Sequence, residues 1–276
     1  MPSLIGCFMR DLPYLRQGLI PQEESGLAVD KLNYTGEEHE KLTDADVQEL
    51  AQALCANDKW VGEVELNSNE LSDLAALYLA PVFEKRSCHN ITKLKLDGNN
   101  FTSKAGEYIG QALASNPDYK LKKLTFQGMS LESIGLTRVV EAANLNKNIR
   151  RLNIGILTDD GLAQLAALLR ENTSLEELEF QETKDHQKLW TAVGKKAFVE
   201  TLRDCTVLKK IGIHFNKADL QDDDKEFKSE IKFYTKQKTK MQAQKDNYRR
   251  TMRSCEPAQM FEDLADLIEN TEEKGN

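Results

Sequence analysis

The chain has 276 residues, of which 45 are acidic and 37 basic, so its net charge is −8. Hydrophobic residues make up 40% of it and the mean hydropathy is −0.55, which is typical of a water-soluble protein with a core. It contains no apolar run of about 18 residues and no secretory signal pattern at its start, and an acidic chain is a poor general ligand for nucleic acid. We therefore expect neither a membrane span nor a nucleic-acid partner. The five cysteines are far apart and never in CxxC spacing, which favours reduced thiols in a cytoplasmic compartment.

An N-terminal segment precedes the first regular pattern. Its apolar side chains fall on one helical face before Pro13, and the segment 1–26 is predicted to cap the first repeat. These apolar positions are Leu4, Ile5, Phe8, Met9 and Leu12.

A repeat of the form L-x-x-L-x-L then organises the chain, and each copy predicts a short strand. The copies begin at residues 29, 61, 91, 121, 149, 175 and 208. Helical periodicity follows the strands, as after Thr43, where Asp46 completes a capping-box pattern. Asn69 and Asn99 complete the longer repeat signature and are expected to bond the backbone where the strand turns away. The pattern predicts an α/β leucine-rich repeat solenoid over residues 27–217, a horseshoe with parallel strands on the concave face and helices outside.

The predicted concave face carries a basic strip. Alternation along the strands places Lys93, Lys123 and Arg151 on neighbouring strands, and Lys95 widens the row. A row of like charges is self-repulsive unless an anion or an acidic surface meets it. Two interpretations remain open, a partner-binding strip or a solvated face. Glutamates flank the row at positions 63, 65, 177 and 179.

The segment 218–276 is predicted to form a helical C-terminal cap with an acidic tail. Its apolar stripe includes Phe227, Ile231, Tyr234 and Met241, and a second short helix is predicted after Pro257. Residues 222–253 hold ten basic and six acidic side chains, so a partner-binding role is expected beside the capping role. The candidate contact residues are Lys228, Lys232, Lys236, Arg249 and Arg250.

The sequence shows no motif typical of catalysis. Its four histidines are not spaced as metal ligands, and no phosphate-binding glycine loop or nucleophile elbow is present. Asp222, Asp223 and Asp224 lack the pattern of a calcium loop and are interpreted as a charge cluster at a helix N-terminus. We therefore expect no metal, no cofactor and no enzymatic activity.

The segment 171–215 resembles the closing repeats of tropomodulins and leiomodins. It reads ENTSLEEL at 171–178, continues through a helix, and ends with LKKIGIHF at 208–215, where Ile211 and Ile213 replace aromatic residues of that family. The resemblance implies an actin-binding module in which the repeats act together with a C-terminal helix. The family's tropomyosin-binding and first actin-binding segments have no counterpart in this sequence.

Three functions are consistent with these observations. The leading one is a noncatalytic, cytoskeleton-associated protein that binds actin through the concave strip and the basic helix. The second is a structural component of another assembly, such as a ciliary complex, with acidic tubulin as the partner. The third is a regulator of a GTPase, although the mixed C-terminal segment lacks the long acidic run expected there.

Overall fold

A computed structural model describes residues 3–23, 25–85, 90–183, 190–205, 207–215 and 222–254. In these residues seven strands lie in one parallel sheet whose order follows the chain. Each of the first six strands is followed by a helix, and β7 leads to the long helix α8. The elements are α1 Leu4–Arg16, β1 Lys31–Asn33, α2 Asp44–Ala56, β2 Gly62–Glu65, α3 Asp73–Glu84, β3 Ile91–Lys95, α4 Ser103–Ser115, β4 Lys123–Thr125, α5 Glu132–Leu145, β5 Arg151–Leu157, α6 Asp159–Leu169, β6 Glu177–Glu182, α7 Ala192–Asp204, β7 Lys210–His214 and α8 Asp222–Ser254.

This architecture is the leucine-rich repeat solenoid that the sequence predicts. A strand and a helix alternate along the chain, and each helix packs against the next one. One such unit cannot bury its apolar face alone, so stacking of the units creates the continuous core. The sheet face that points away from the helices is called the concave face below.

The repeat leucines fill the core between sheet and helices. Leu94, Leu124 and Leu178 are fully buried, as predicted. Ile211 is only partly buried because β7 pairs with β6 alone and forms the edge of the sheet. The first template position of the second copy, Val61, is 54% exposed, where the pattern predicts a core residue. An irregularity in strand pairing at the next residue breaks the template there.

Buried asparagines tie the repeats together at the turns that follow β2 and β3. The Asn99 amide donates to the carbonyls of Leu66 and Leu96, and its oxygen accepts from the backbone of Asn69 and Leu71. Asn69 donates in turn to the Tyr34 carbonyl. The expected asparagine ladder is therefore confirmed, and each asparagine satisfies backbone groups of its neighbouring repeat.

A second set of asparagines, which the sequence reading missed, lies at the C-terminal ends of helices. Asn116 donates to the carbonyl of Phe83, and Asn146 donates to that of Tyr119, so each helix end is bonded to the preceding unit. Asn57 and Asn172 likewise donate to carbonyls of the preceding unit, those of Leu15 and Ala143. Their recurrence at the ends of the periodic segments is the signal that would have revealed them.

Helix α1 covers the first repeat, although not with the face that was predicted. Leu4, Phe8 and Leu12 are buried, whereas Ile5 and Met9 are exposed. Pro13 lies inside the helix, where only its last turn follows. Leu4, Phe8 and Leu12 are spaced four residues apart and face the core, whereas the adjacent apolar residues Ile5 and Met9 are in contact with solvent.

Candidate functional site

The sheet register assembles the predicted basic strip. In the sheet register, Lys93 on β3 lies opposite Lys123 on β4, and Lys123 lies opposite Arg151 on β5. Lys95 lies two residues after Lys93 on β3, opposite Thr125. Adjacent strands are about 4.8 Å apart, so these side chains are immediate neighbours on the concave face.

Glutamates on β2 neutralise one end of the strip. The Lys93 ammonium lies 2.9 Å from the Glu63 carboxylate, and Lys95 bridges Glu63 and Glu65. Lys31 on β1 pairs with Glu65 at 2.9 Å. Burial alone would raise the pKa of Glu63, but hydrogen bonds from Lys93 and Lys95 outweigh it and lower that pKa to about 2.

Glutamates on β6 neutralise the other end. Arg151 Nε lies 3.3 Å from Glu177, and Lys210 on β7 approaches Glu177 at 3.8 Å and Glu179 at 3.5 Å. The flanking glutamates are visible in the sequence, but their ion pairs with the strip itself are not predicted from it. Three of its four cations therefore have carboxylate partners within the chain.

Lys123 is the exception at the centre. No ion pair involves it in the part of the chain that the structure describes, although its neighbours Lys93 and Arg151 are both cationic. Two residues further on, Thr125 is 4% exposed and its hydroxyl has no hydrogen-bond partner within the same described ranges. Sequence reasoning missed Thr125, because its lack of a partner depends on the hydrogen bonds of its neighbours.

The second candidate surface is α8, which docks on the last repeat through aromatic contacts. The Phe227 ring packs edge-on against Trp190, Phe198 and Phe215, with centroid distances between 6.1 and 6.2 Å. Ile231 is also buried one turn further on. Phe227 and Ile231 are therefore residues through which α8 packs on the last repeat.

A buried ion pair reinforces this docking. Lys195 on α7 lies 2.5 Å from Asp224 in the first turn of α8, and both side chains are more than nine-tenths buried. Asp224 belongs to the charge cluster that the sequence predicts at a helix N-terminus. Its ion pair with α7 shows that it also fixes the start of α8 to the solenoid.

The basic residues of α8 differ in their freedom. Lys232 and Lys236 are exposed. Lys228 is exposed too, but its ammonium lies 4.3 Å from the centroid of the Phe215 ring, so part of its charge is engaged within the chain. The side chains of Arg249 and Arg250 lie outside the described part of the structure, as do Met241 and the predicted helix after Pro257.

Other candidate chemistry finds no assembly in the structure. No group of histidine, cysteine or carboxylate side chains in the described ranges is arranged to hold a metal ion. The two tryptophans, Trp60 and Trp190, are buried in the core and donate to backbone carbonyls. Within the same ranges, none of the helices has the length and apolar character needed to span a membrane.

Comparison with known proteins gives structural neighbours only. No protein-family model matches the chain, and no curated protein matches it. One similar solved structure is "Leiomodin-1 Actin-Binding Site 2 (ABS2)", at 17% identity and a TM-score of 0.35, covering 92% of this chain and 100% of that one. Another is the tropomodulin C-terminal domain of Caenorhabditis elegans, at 11% identity and a TM-score of 0.34, covering 88% and 98%.

Proposed function

We propose that the chain is a noncatalytic protein-interaction module of the cytoskeleton that binds an acidic protein surface, with actin as the partner. No enzymatic step and no cofactor belong to this proposal. Two basic surfaces would make the contact, the concave strip and the exposed side of α8.

The observation that carries the proposal is the division of α8 into two faces. Phe227 and Ile231 are buried against the last repeat, whereas Lys232 and Lys236 point to solvent from the same helix. A helix that served only as a cap would not need this excess of basic residues on its outer side. The docked face holds the helix in place, and the exposed face presents cations to an acidic partner.

The choice of actin rests on two further points. Residues 171–215 resemble the closing repeats of tropomodulins and leiomodins, in which the repeats and a C-terminal helix bind actin together. Actin is acidic overall, so its charge complements both basic surfaces. Contacts of this kind increase association rates and are weakened by salt.

Charge reversal on α8 tests the proposal. The variant Lys232→Glu, Lys236→Glu, Arg250→Glu should fold like the parent, since Lys232 and Lys236 are exposed and exposed charges contribute little to stability. It should bind filamentous actin about tenfold more weakly at low salt, because three favourable charges become unfavourable. Co-sedimentation with filamentous actin, after a thermal melt has confirmed folding, measures this change.

A matched control distinguishes the effect of reversing charges on α8 from the effect of changing the net charge of the protein. Lys59, Lys104 and Lys120 are exposed and lie away from α8, so reversing all three changes the net charge by the same amount. This control should bind actin nearly as well as the parent. Equal losses in both triple variants would show that α8 is not the contact surface.

A further inference from the structure

The centre of the concave face holds a cation that forms no ion pair and a hydroxyl that has no hydrogen-bond partner among the residues that the structure describes. Lys93 is paired with Glu63 at 2.9 Å, and Arg151 with Glu177 at 3.3 Å. Lys123 lies between these two cations in the sheet and has no ion pair among the described residues. It is therefore repelled from both sides without a compensating carboxylate.

Thr125 lies on the same strand and the same face as Lys123. Its side chain is 4% exposed, and its Oγ1 has no hydrogen-bond partner in the described part of the chain. A buried hydroxyl without a partner is unfavourable, since it has lost its bonds to water and gained none. It keeps one proton to donate and two lone pairs that can accept.

The neighbours of Thr125 are already engaged. Lys95, on one side, is bonded to the two glutamates of β2. Asn153, on the other side, accepts from the backbone nitrogen of Gly155 at 3.0 Å and donates to Glu179 at 3.4 Å. None of these described neighbours is therefore left to bond the Thr125 hydroxyl, which remains available to a partner from outside the chain.

A small cavity of about 20 Å³ lies beside Thr125, and Lys123, Thr125, Arg151 and Asn153 contribute to its wall. This volume admits a group of about the size of one water molecule, which fits a carboxylate oxygen but not a whole phosphate. Glu177 and Glu179 bound the β6 side, so an anion is favoured on the Lys123 side. A cation from a partner is disfavoured, because Glu177 and Glu179 already have cations and amides as partners.

We propose that Lys123 and Thr125 form a subsite for one carboxylate of an acidic side chain on the protein partner. The Lys123 ammonium supplies the opposite charge, and the Thr125 hydroxyl donates a hydrogen bond to the carboxylate oxygen that enters the cavity. This subsite rests on the proposed function, since it assumes that an acidic protein surface meets the concave face. It adds to that proposal the residues and the chemical group that fix the register of the contact.

Acidic and neutral peptides provide the probes. A fluorescent hexaglutamate peptide, titrated into the full chain at low ionic strength, should raise its anisotropy with saturation, whereas the matching hexaglutamine peptide should not bind. Thr125→Val keeps the shape and removes the hydroxyl, and Lys123→Gln removes the charge. Each should weaken hexaglutamate binding about tenfold, the factor expected for one hydrogen bond or charge contact to an ionised group.

Two matched variants control for structure and for general charge. Thr125→Ser keeps a hydroxyl and should bind within about twofold of the parent. Lys104→Gln removes an exposed cation from α4 and should also bind like the parent. Thermal melts should show Thr125→Val at least as stable as the parent, because it replaces an unsatisfied polar group by an apolar one of equal shape.

The outcomes distinguish this subsite from the actin proposal. If Thr125→Val binds hexaglutamate like the parent, or if Lys104→Gln loses as much affinity as Lys123→Gln, the subsite is wrong and the hydroxyl takes no part in binding a carboxylate. If the peptide results hold but the parent fails to co-sediment with actin, the subsite stands and actin is the wrong partner. If actin binds the parent and Thr125→Val equally, the subsite takes no part in that contact.

Discussion

At the scale of single residues, the effect of a substitution on the concave face depends on which side chains form ion pairs with each other. Reversing Lys93 would place a new carboxylate against Glu63, and reversing Arg151 would place one against Glu177. Such variants would lose affinity and stability together, so they cannot separate binding from folding. Lys123 has no ion pair in the described chain, which makes it the residue of the strip whose charge can be changed with the least effect on folding.

Glu63 provides a prediction of pH dependence at this scale. Its pKa falls from 4.5 in the unfolded chain to about 2 in the fold. The folded state therefore binds the proton less readily, and the resulting stability is fully present above about pH 4.5 and lost as the pH falls towards 2. Glu63→Gln removes this contribution, so the difference in unfolding free energy between parent and variant should shrink over that interval.

Urea unfolding at several pH values between 6 and 2 measures the effect. The difference at pH 6 should not exceed about 3 kcal/mol, and solvent screening reduces it further. Glu84→Gln, at an exposed carboxylate at the end of α3, is the control and should leave the pH profile of the parent unchanged. A Glu63→Gln profile parallel to that of the parent over the whole range would contradict the assigned ion pairs.

At the scale of elements, Phe227 is an aromatic anchor of α8 on the last repeat. Phe227 is 3% exposed and contacts three rings of the last repeat. Truncation of a buried phenylalanine to alanine costs about 3–5 kcal/mol where the site cannot collapse. Because α8 lies at the end of the solenoid, the loss is limited to the free energy that docks this helix.

Phe227→Ala should therefore release α8 before the repeats unfold, seen as faster proteolysis within α8 and a lower urea midpoint. Phe233→Ala is the matched control, since Phe233 lies on the same helix and is 55% exposed. The control should digest and unfold like the parent. Equal behaviour of the two variants would mean that α8 is not docked as described.

At the scale of the whole molecule, the repeat spacing alone predicts the seven-stranded sheet and its order. Regular spacing suffices because each unit contacts only its neighbours, so register follows from the template. This places the basic strip correctly. The exposure of Val61 follows from an irregular pairing that no template shows, and Ile211 is half-buried because it lies at an edge.

The ion pairs and the Thr125 subsite are harder to read from sequence for a different reason. Flanking glutamates are visible in the sequence, but whether they reach the lysines depends on side-chain conformation. The unsatisfied hydroxyl of Thr125 is recognised only once the bonds of Lys95 and Asn153 are known. The sequence thus locates the surface, whereas three-dimensional packing decides which of its charges remain available.

Binding of the parent chain to filamentous actin is the decisive measurement for the proposed function. Co-sedimentation should be carried out across a salt series, with microtubules in parallel as the competing acidic filament. Saturable binding to actin is expected at low salt, and it should weaken steadily as salt screens the basic surfaces. Absence of actin binding at the lowest salt, or stronger binding to microtubules than to actin, would show that actin is not the partner.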